Sequence, residues 1–270
     1  MPTRRWLAPA IGLGAVALAV GTSTSAFAAA APHAAAHVHP HGDVMLSSGT
    51  QHLSSASSAH RGGPAILHDS SGNWAGYAAT GSTYTSVSSN WVQPSVNCDS
   101  GDGYSAFWVG LDGDGSDSVE QTGSEADCSG GQAEYSAWYE MYPADSVNYN
   151  DNVEAGDSFS ASVDTDGDGD YTLTLTDNTQ GWTETQNETS SSAADASAEV
   201  IAEAPSSDSG QLPLSDFGTV DFTDATVNGS ALGDSSPDEI DMVSNGDTLA
   251  TTSGLDGSGE DFSVTWDASS

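Results

Sequence analysis

SFSASVDTDGDGDYTLTLTD, residues 158–177, is the stretch that decides the fold. Its first limb sets Phe159, Ala161 and Val163 at alternate positions among serines. Its second limb sets Tyr171, Leu173 and Leu175 at alternate positions among threonines. A period of two marks a strand with one buried face. Between the limbs, DTDGDGD (164–170) reads as a Gly/Asp hairpin turn. Its carboxylates also resemble the opening of a calcium loop. The twelfth position, however, is Leu175, where such a loop needs a bidentate glutamate. GLDGDGSD (110–117) reads the same way, as a turn with at most a weak calcium site. Similar alternation recurs in SAEVIAEAP (197–205), TVDFTDATV (219–227) and FSVTW (262–266), and no stretch keeps a helical period over several turns. The expectation is one all-β domain over residues 70–270, a sandwich or barrel long enough to bury a substantial core.

That domain contains no lysine, arginine or histidine. All three arginines (Arg4, Arg5, Arg61) and all seven histidines lie in the first 68 residues. Two of the 39 acidic residues, Asp43 and Asp69, precede residue 70, leaving 37 in the domain. The absence excludes Ser-His-Asp and Cys-His mechanisms, imidazole-bound zinc and lysine Schiff bases. It also excludes nucleic-acid and anionic-membrane binding, since nothing can neutralise phosphate. Chemistry must come from carboxylates, amides, hydroxyls and aromatic rings. Below pH ~3 most carboxylates are protonated, so a domain without cations escapes self-repulsion there. Salt adaptation would screen repulsion instead, but it gives no reason to remove every arginine and histidine. Acid is therefore the expected setting.

The N-terminus carries Arg4 and Arg5, an apolar run, and an Ala-Phe-Ala step ending at Ala28. This is the pattern of a secretory signal peptide, and the run is too short for a membrane span. Residues 29–69, rich in Ala, His, Ser and Gly, read as a pro-segment or linker whose histidines charge below about pH 6.5. The product is expected to be an extracellular monomer, free of the membrane after export. Cys98 and Cys128, the only cysteines, read as one disulfide in an exported chain.

Strand parity sorts three further segments alike. In AFWVGLDG (106–113), Phe107, Val109 and Leu111 share one face, while Trp108 and Asp112 share the other. In YSAWYEMYP (135–143), Trp138 and Glu140 lie opposite Tyr139 and Met141. In SAEVIAE (197–203), Glu199, Ile201 and Glu203 lie opposite Val200 and Ala202. The aliphatic faces are core. A face carrying tryptophans with carboxyls in three segments points to a cleft.

These segments also carry a family likeness. FWVGLDG (107–113), VEQTGS (119–124), AWYEMYP (137–143) and SAEVIAE (197–203), in that order, resemble the glutamic peptidases, the eqolisin family. SGNWAGY (71–77) and SNWVQPS (89–95) fit the start of that domain, and the likeness runs from about Ser71 to Trp266. It implies an antiparallel β-sandwich of two large sheets, similar to legume lectins and glucanases, with a concave active-site face. It implies a secreted acid endopeptidase, insensitive to pepstatin, acting on protein or peptide substrates without metal or cofactor. The family's catalytic glutamine falls on Gln121 and its catalytic glutamate on Glu203. Cleft-lining or supporting positions fall on Trp74, Trp108, Asp112, Trp138 and Glu140. Glu199 is read as structural. Ala204-Pro205 departs from the acidic and aromatic pair expected after the glutamate.

The chemistry is consistent with these side chains. Glu203 takes a proton from water and returns it to the leaving amine, while the Gln121 NH2 holds the oxyanion and keeps that ability in acid. Donors or solvation around Glu203 are expected to hold its pKa near the working pH. Two rival readings remain open from the residues. One is a lectin-like carbohydrate-binding or glycoside-hydrolysing sandwich, whose retaining enzymes need two carboxyls about 5 Å apart. Glu199 and Glu203, four residues apart on one strand, are about 13 Å apart, which leaves Glu140 with Glu203. A calcium-dependent binding module would rest on the DTDGDGD turn.

Overall fold

The computed structural model describes residues 68–207 and 210–270. The signal-peptide and pro-segment readings therefore lie outside the described residues, apart from His68 and Asp69. No α-helix occurs among the described residues, and no helix is long and apolar enough to cross a membrane. The strands are β1 (His68–Ser71), β2 (Trp74–Thr80), β3 (Ser86–Val92), β4 (Ala106–Leu111), β5 (Val119–Ser129) and β6 (Gln132–Tyr142). They continue as β7 (Val147–Asn148), β8 (Ser158–Thr165), β9 (Asp170–Asp177), β10 (Trp182–Thr189), β11 (Ser197–Glu203) and β12 (Ser206–Ser207). The last six are β13 (Gly210–Gln211), β14 (Thr219–Val227), β15 (Ser230–Ala231), β16 (Asp238–Ser244), β17 (Asp247–Thr252) and β18 (Phe262–Trp266).

The stretch that opens the sequence reading behaves as its pattern requires. β8 and β9 form an antiparallel hairpin pairing Val163 with Leu173 and Ala161 with Leu175. Phe159, Val163, Leu173 and Leu175 are fully buried, whereas the intervening serines and threonines lean outward. In the turn, Asp166 Oδ1 accepts from the backbone N–H of Asp168 and of Asp170. No group of three or more acidic, histidine or cysteine side chains is arranged to hold a metal ion among the described residues.

The strands lie along one hydrogen-bonded path, β10-β9-β8-β3-β14-β18-β17-β16-β2-β11-β4-β5-β6-β7, whose two limbs correspond to the two layers expected. The joint is β18, which pairs with β14 on one side and β17 on the other. All pairs along the path are antiparallel; β1 joins β16 in parallel from the side. The two limbs of the path pack face to face, with β3 and β8 against β4, and β9 against β5. Between them lies the main apolar core, including Tyr77, Trp91, Phe107, Val109, Leu111, Phe159, Val200 and Phe222. Polar bonds also join the limbs, among them one from the Trp91 indole N–H to Ser124 Oγ at 2.9 Å and one from the Gln93 amide to the Glu125 carbonyl at 3.0 Å. A disulfide joins Cys98 to Cys128 with Cα atoms 5.4 Å apart, tying the segment before β4 to the end of β5.

Candidate active site

Strands β2, β11, β4, β5 and β6 lie side by side in that order. Their inner face feeds the main core. Register fixes what stands on the outer face. One row sets Gly76, Ile201, Trp108, Gly123 and Trp138 beside one another, strand to strand. The row on one side carries Trp74, Glu203, Ala106, Glu125 and Ser136; the row on the other carries Ala78, Glu199, Gly110, Gln121 and Glu140. Parity along each strand and pairing between strands thus bring Trp74, Trp108, Trp138, Gln121, Glu140 and Glu203 to one surface. Small residues let the large ones lie flat. A Cβ on Gly123 would fall 2.2 Å from the Phe107 carbonyl oxygen and 2.6 Å from Trp108 Cβ.

The side chains form two connected pairs. Glu203 accepts from the Trp108 indole N–H at 2.9 Å and from the Asn73 amide at 3.2 Å. Gln121 donates from Nε2 to Glu140 at 2.6 Å. Trp74 meets Trp108 edge to face, with ring centroids 5.1 Å apart. With Ala78, Ala106, Val119, Ile201 and Ile240, the three tryptophans make a second apolar cluster, separate from the main core. Gln121 Oε1 and the Trp138 indole N–H are buried without a hydrogen-bond partner.

This face is shut off from solvent: Trp74, Trp108, Trp138, Gln121, Glu140, Glu199 and Glu203 have no exposed surface. Burial pushes the Glu203 carboxyl well above the usual carboxylate range, and the neighbouring Glu140 charge adds to the rise. The Trp108 and Asn73 donors pull it back only in part. The expectation of a pKa held near an acid working pH therefore does not describe this enclosed state, because desolvation outweighs the donors. Glu125, on the same face, is pushed up to about 7 by burial, with Ser136 donating to it and lowering it in part.

Asp112 is the placed residue that differs most from its reading. Parity put it on the Trp108 face as a support. It stands just past the end of β4 in the left-handed region, at φ 66°. Its carboxylate turns to accept three backbone N–H groups, from Ala194, Asp195 and Ala196, at 2.8 to 2.9 Å. It anchors the segment that leads into β11 and so fixes Glu203 at a distance. Asn73 was missed by the sequence reading. Ser71 Oγ accepts from the N–H of both Asn73 and Trp74, and this local turn swings the Asn73 amide to Glu203.

A carboxyl fed by indole and amide N–H donors, an oriented primary amide and tryptophan walls make up the site. Residues 72–266 match the Peptidase A4 family, and the chain belongs to that family. It is a glutamic peptidase, a peptide hydrolase. It is 32% identical over 222 residues to aspergillopepsin-2 of Aspergillus niger, covering 73% of this chain and 78% of that protein. It superimposes on scytalido-glutamic peptidase bound to a transition-state analog inhibitor with a TM-score of 0.63 and 27% identity, covering 72% of this chain and 98% of that one. It also superimposes on SCP-B, a member of the eqolisin family in complex with the tripeptide Ala-Ile-His, with a TM-score of 0.59 and 28% identity, covering 72% and 98%. Family membership places the chain apart from the carbohydrate-active and calcium-module readings.

Proposed function

We propose that the protein is a secreted endopeptidase that cleaves proteins in acid through Glu203 and Gln121. The observation that carries this reading is the pairing of Gln121 with Glu140 on the same sheet face as Glu203. An amide nitrogen has two N–H groups. Glu140 takes one, which fixes the plane of the amide and leaves the second for a tetrahedral oxyanion. One such donor contributes about 3 kcal/mol of barrier lowering.

Glu203 acts as base and then as acid. When the face opens to substrate and water, the desolvation that raises its pKa falls away, while the Trp108 and Asn73 N–H groups still favour the carboxylate. The ionised form takes a proton from water as that water attacks the scissile carbonyl. The same oxygen returns the proton to the departing amine nitrogen. Trp74, Trp108 and Trp138 bind substrate side chains, and the unpartnered Trp138 N–H is available to a substrate carbonyl. Glu140 and Asp112 support Gln121 and β11. No step needs a cation, a metal or a cofactor, which agrees with a domain lacking basic side chains. The leader pattern of residues 1–28 supports export, and residues 29–69 are proposed to be removed on maturation.

The test is casein digestion at acidic pH by the purified protein, with pepstatin in one arm and chelator in another. Digestion that neither agent stops, and that Glu203→Gln and Gln121→Ala abolish, supports the reading. Full activity in both variants sinks it.

A further inference from the structure

The chain contains two Asn-Gly steps, Asn228-Gly229 and Asn245-Gly246. The fold makes them a matched pair. Each supplies the two central residues of a hairpin turn: Val227 pairs with Ser230 across the first, and Ser244 with Asp247 across the second. All four residues have positive φ, at 51° and 73° in the first turn and 54° and 95° in the second. This is the type I′ connection, which favours Asn-Gly. Both asparagines are exposed. A Cβ built on either glycine would have no atom within 4 Å. Backbone geometry and access are therefore alike, and the difference lies in the asparagine side chains.

Asn228 is held at both ends of its amide. Its Oδ1 accepts from the Thr85 N–H at 2.8 Å, and from the Ser86 N–H and the Thr85 hydroxyl at 3.3 Å each. Its Nδ2 donates to the Thr83 carbonyl at 3.1 Å. The amide thus ties the β14–β15 turn to the segment entering β3. Asn245 has no such anchor. Its Nδ2 reaches only the hydroxyl of its neighbour Ser244, at 3.3 Å. Its Oδ1 accepts no hydrogen bond from the described residues.

An asparagine followed by glycine can react with its own backbone, because glycine puts no side chain in the way of the approach. The glycine nitrogen gives up its proton and bonds to the asparagine Cγ. The Cγ–Nδ2 bond breaks, and that nitrogen leaves as ammonia. Water then opens the five-membered ring at one of its two carbonyls, which leaves aspartate or isoaspartate. The attack needs the side-chain amide to rotate until Cγ meets the nitrogen. At Asn228 that rotation breaks bonds to three residues. At Asn245 it breaks one long bond to a hydroxyl that can turn with it.

We propose that Asn245 is a site of spontaneous deamidation through a succinimide, and that Asn228, in the same kind of turn, is protected by its hydrogen bonds to residues 83–86. The product carries a new carboxylate between β16 and β17 or, in the isoaspartyl form, one extra backbone carbon in that turn. The proposal is independent of the peptidase reading.

The experiment incubates the purified protein near neutral pH, with circular dichroism confirming that it stays folded, beside a second sample unfolded by urea in the same buffer. If the protein unfolds near neutrality, the highest pH at which it stays folded is used under the same criteria. Peptide mapping by mass spectrometry follows both Asn-Gly peptides through the mass gain of amide-to-acid conversion. In the folded sample Asn245 should convert faster than Asn228 by at least about tenfold, the worth of one or two net hydrogen bonds. In urea the two should convert at nearly equal rates. Asn245→Ser should remove conversion at 245 and leave Asn228 as slow as before. Equal rates in the folded protein, faster conversion at Asn228, or a difference that persists in urea overturns the proposal. So does a folded Asn245 that stays intact while the urea sample converts.

Discussion

The β8–β9–β10 limb and the β2–β11–β4–β5–β6 limb are both antiparallel sheet, but they differ in how their outer faces are spent. Along β10 half-buried and exposed residues alternate, and the outward threonines of β9 face water. Along β4 and β11 every residue is buried. The second burial is not a second aliphatic core: it holds three tryptophans, Gln121 and carboxyls. A sheet that needs only stability leaves its outer face to water. A sheet that buries tryptophans together with carboxyls on that face bears a desolvation cost, and function accounts for it. One limb supplies the packing against which the other displays its chemistry.

The largest effect separates the limbs by activity. Glu203→Gln should lower kcat by at least about a thousandfold, and Gln121→Ala by about a hundred- to a thousandfold. Leu173→Ala, in the other limb, should leave kcat within about twofold while costing about 2–5 kcal/mol of stability from the cavity it opens. Steady-state kinetics beside urea unfolding checks both halves. A large kcat loss from Leu173→Ala would break the contrast.

The buried acids predict a pH dependence of stability. Glu120 is raised from 4.5 to about 8, by burial first and then by the Asp112 charge, and Glu125 from 4.5 to about 7, again by burial. A carboxyl with a higher pKa folded than unfolded keeps its proton longer in the folded state. Stability is therefore complete below about pH 4.5 and falls as pH rises through 7 and 8. Across that window the cost is about 5 kcal/mol for Glu120 and about 3 kcal/mol for Glu125. Melting temperatures from pH 3 to pH 9 should fall steadily above pH 5, and Glu125→Gln should flatten part of the fall. A melting temperature that rises towards neutrality contradicts these assignments.

Smaller effects sharpen the picture inside the active limb. Asn73→Ala removes one donor to Glu203 without touching the peptide bond. It should lower kcat about tenfold and shift the acid limb of the pH–rate profile upward, because the carboxylate loses a stabilising N–H. An unchanged profile would assign Asn73 to the turn alone.

Much of this was legible because period-two patterns carry their own geometry. The parity of Glu199, Ile201 and Glu203, and of Trp138 and Glu140, transferred directly from sequence to sheet face. Parity stops at strand ends, and both departures occur there. Asp112 takes a left-handed conformation one residue beyond β4 and bonds backbone instead of facing the cleft. Asn73 precedes β2 and reaches Glu203 across 130 residues through a turn made by Ser71. The joint between the two limbs was not legible, because sequence alternation marks strands but not which of them β18 joins. Nor can alternation show how fully the outer face is enclosed, which is why the rise in the Glu203 pKa was not foreseen.

The measurement closest to the central claim is a double-mutant cycle on kcat, using Glu203→Gln, Gln121→Ala and the double variant against one peptide at acidic pH. If the carboxyl and the amide act as one unit, both singles and the double should fall to nearly the same residual rate. Losses that multiply across the two sites, or a single variant that keeps wild-type turnover, would contradict it.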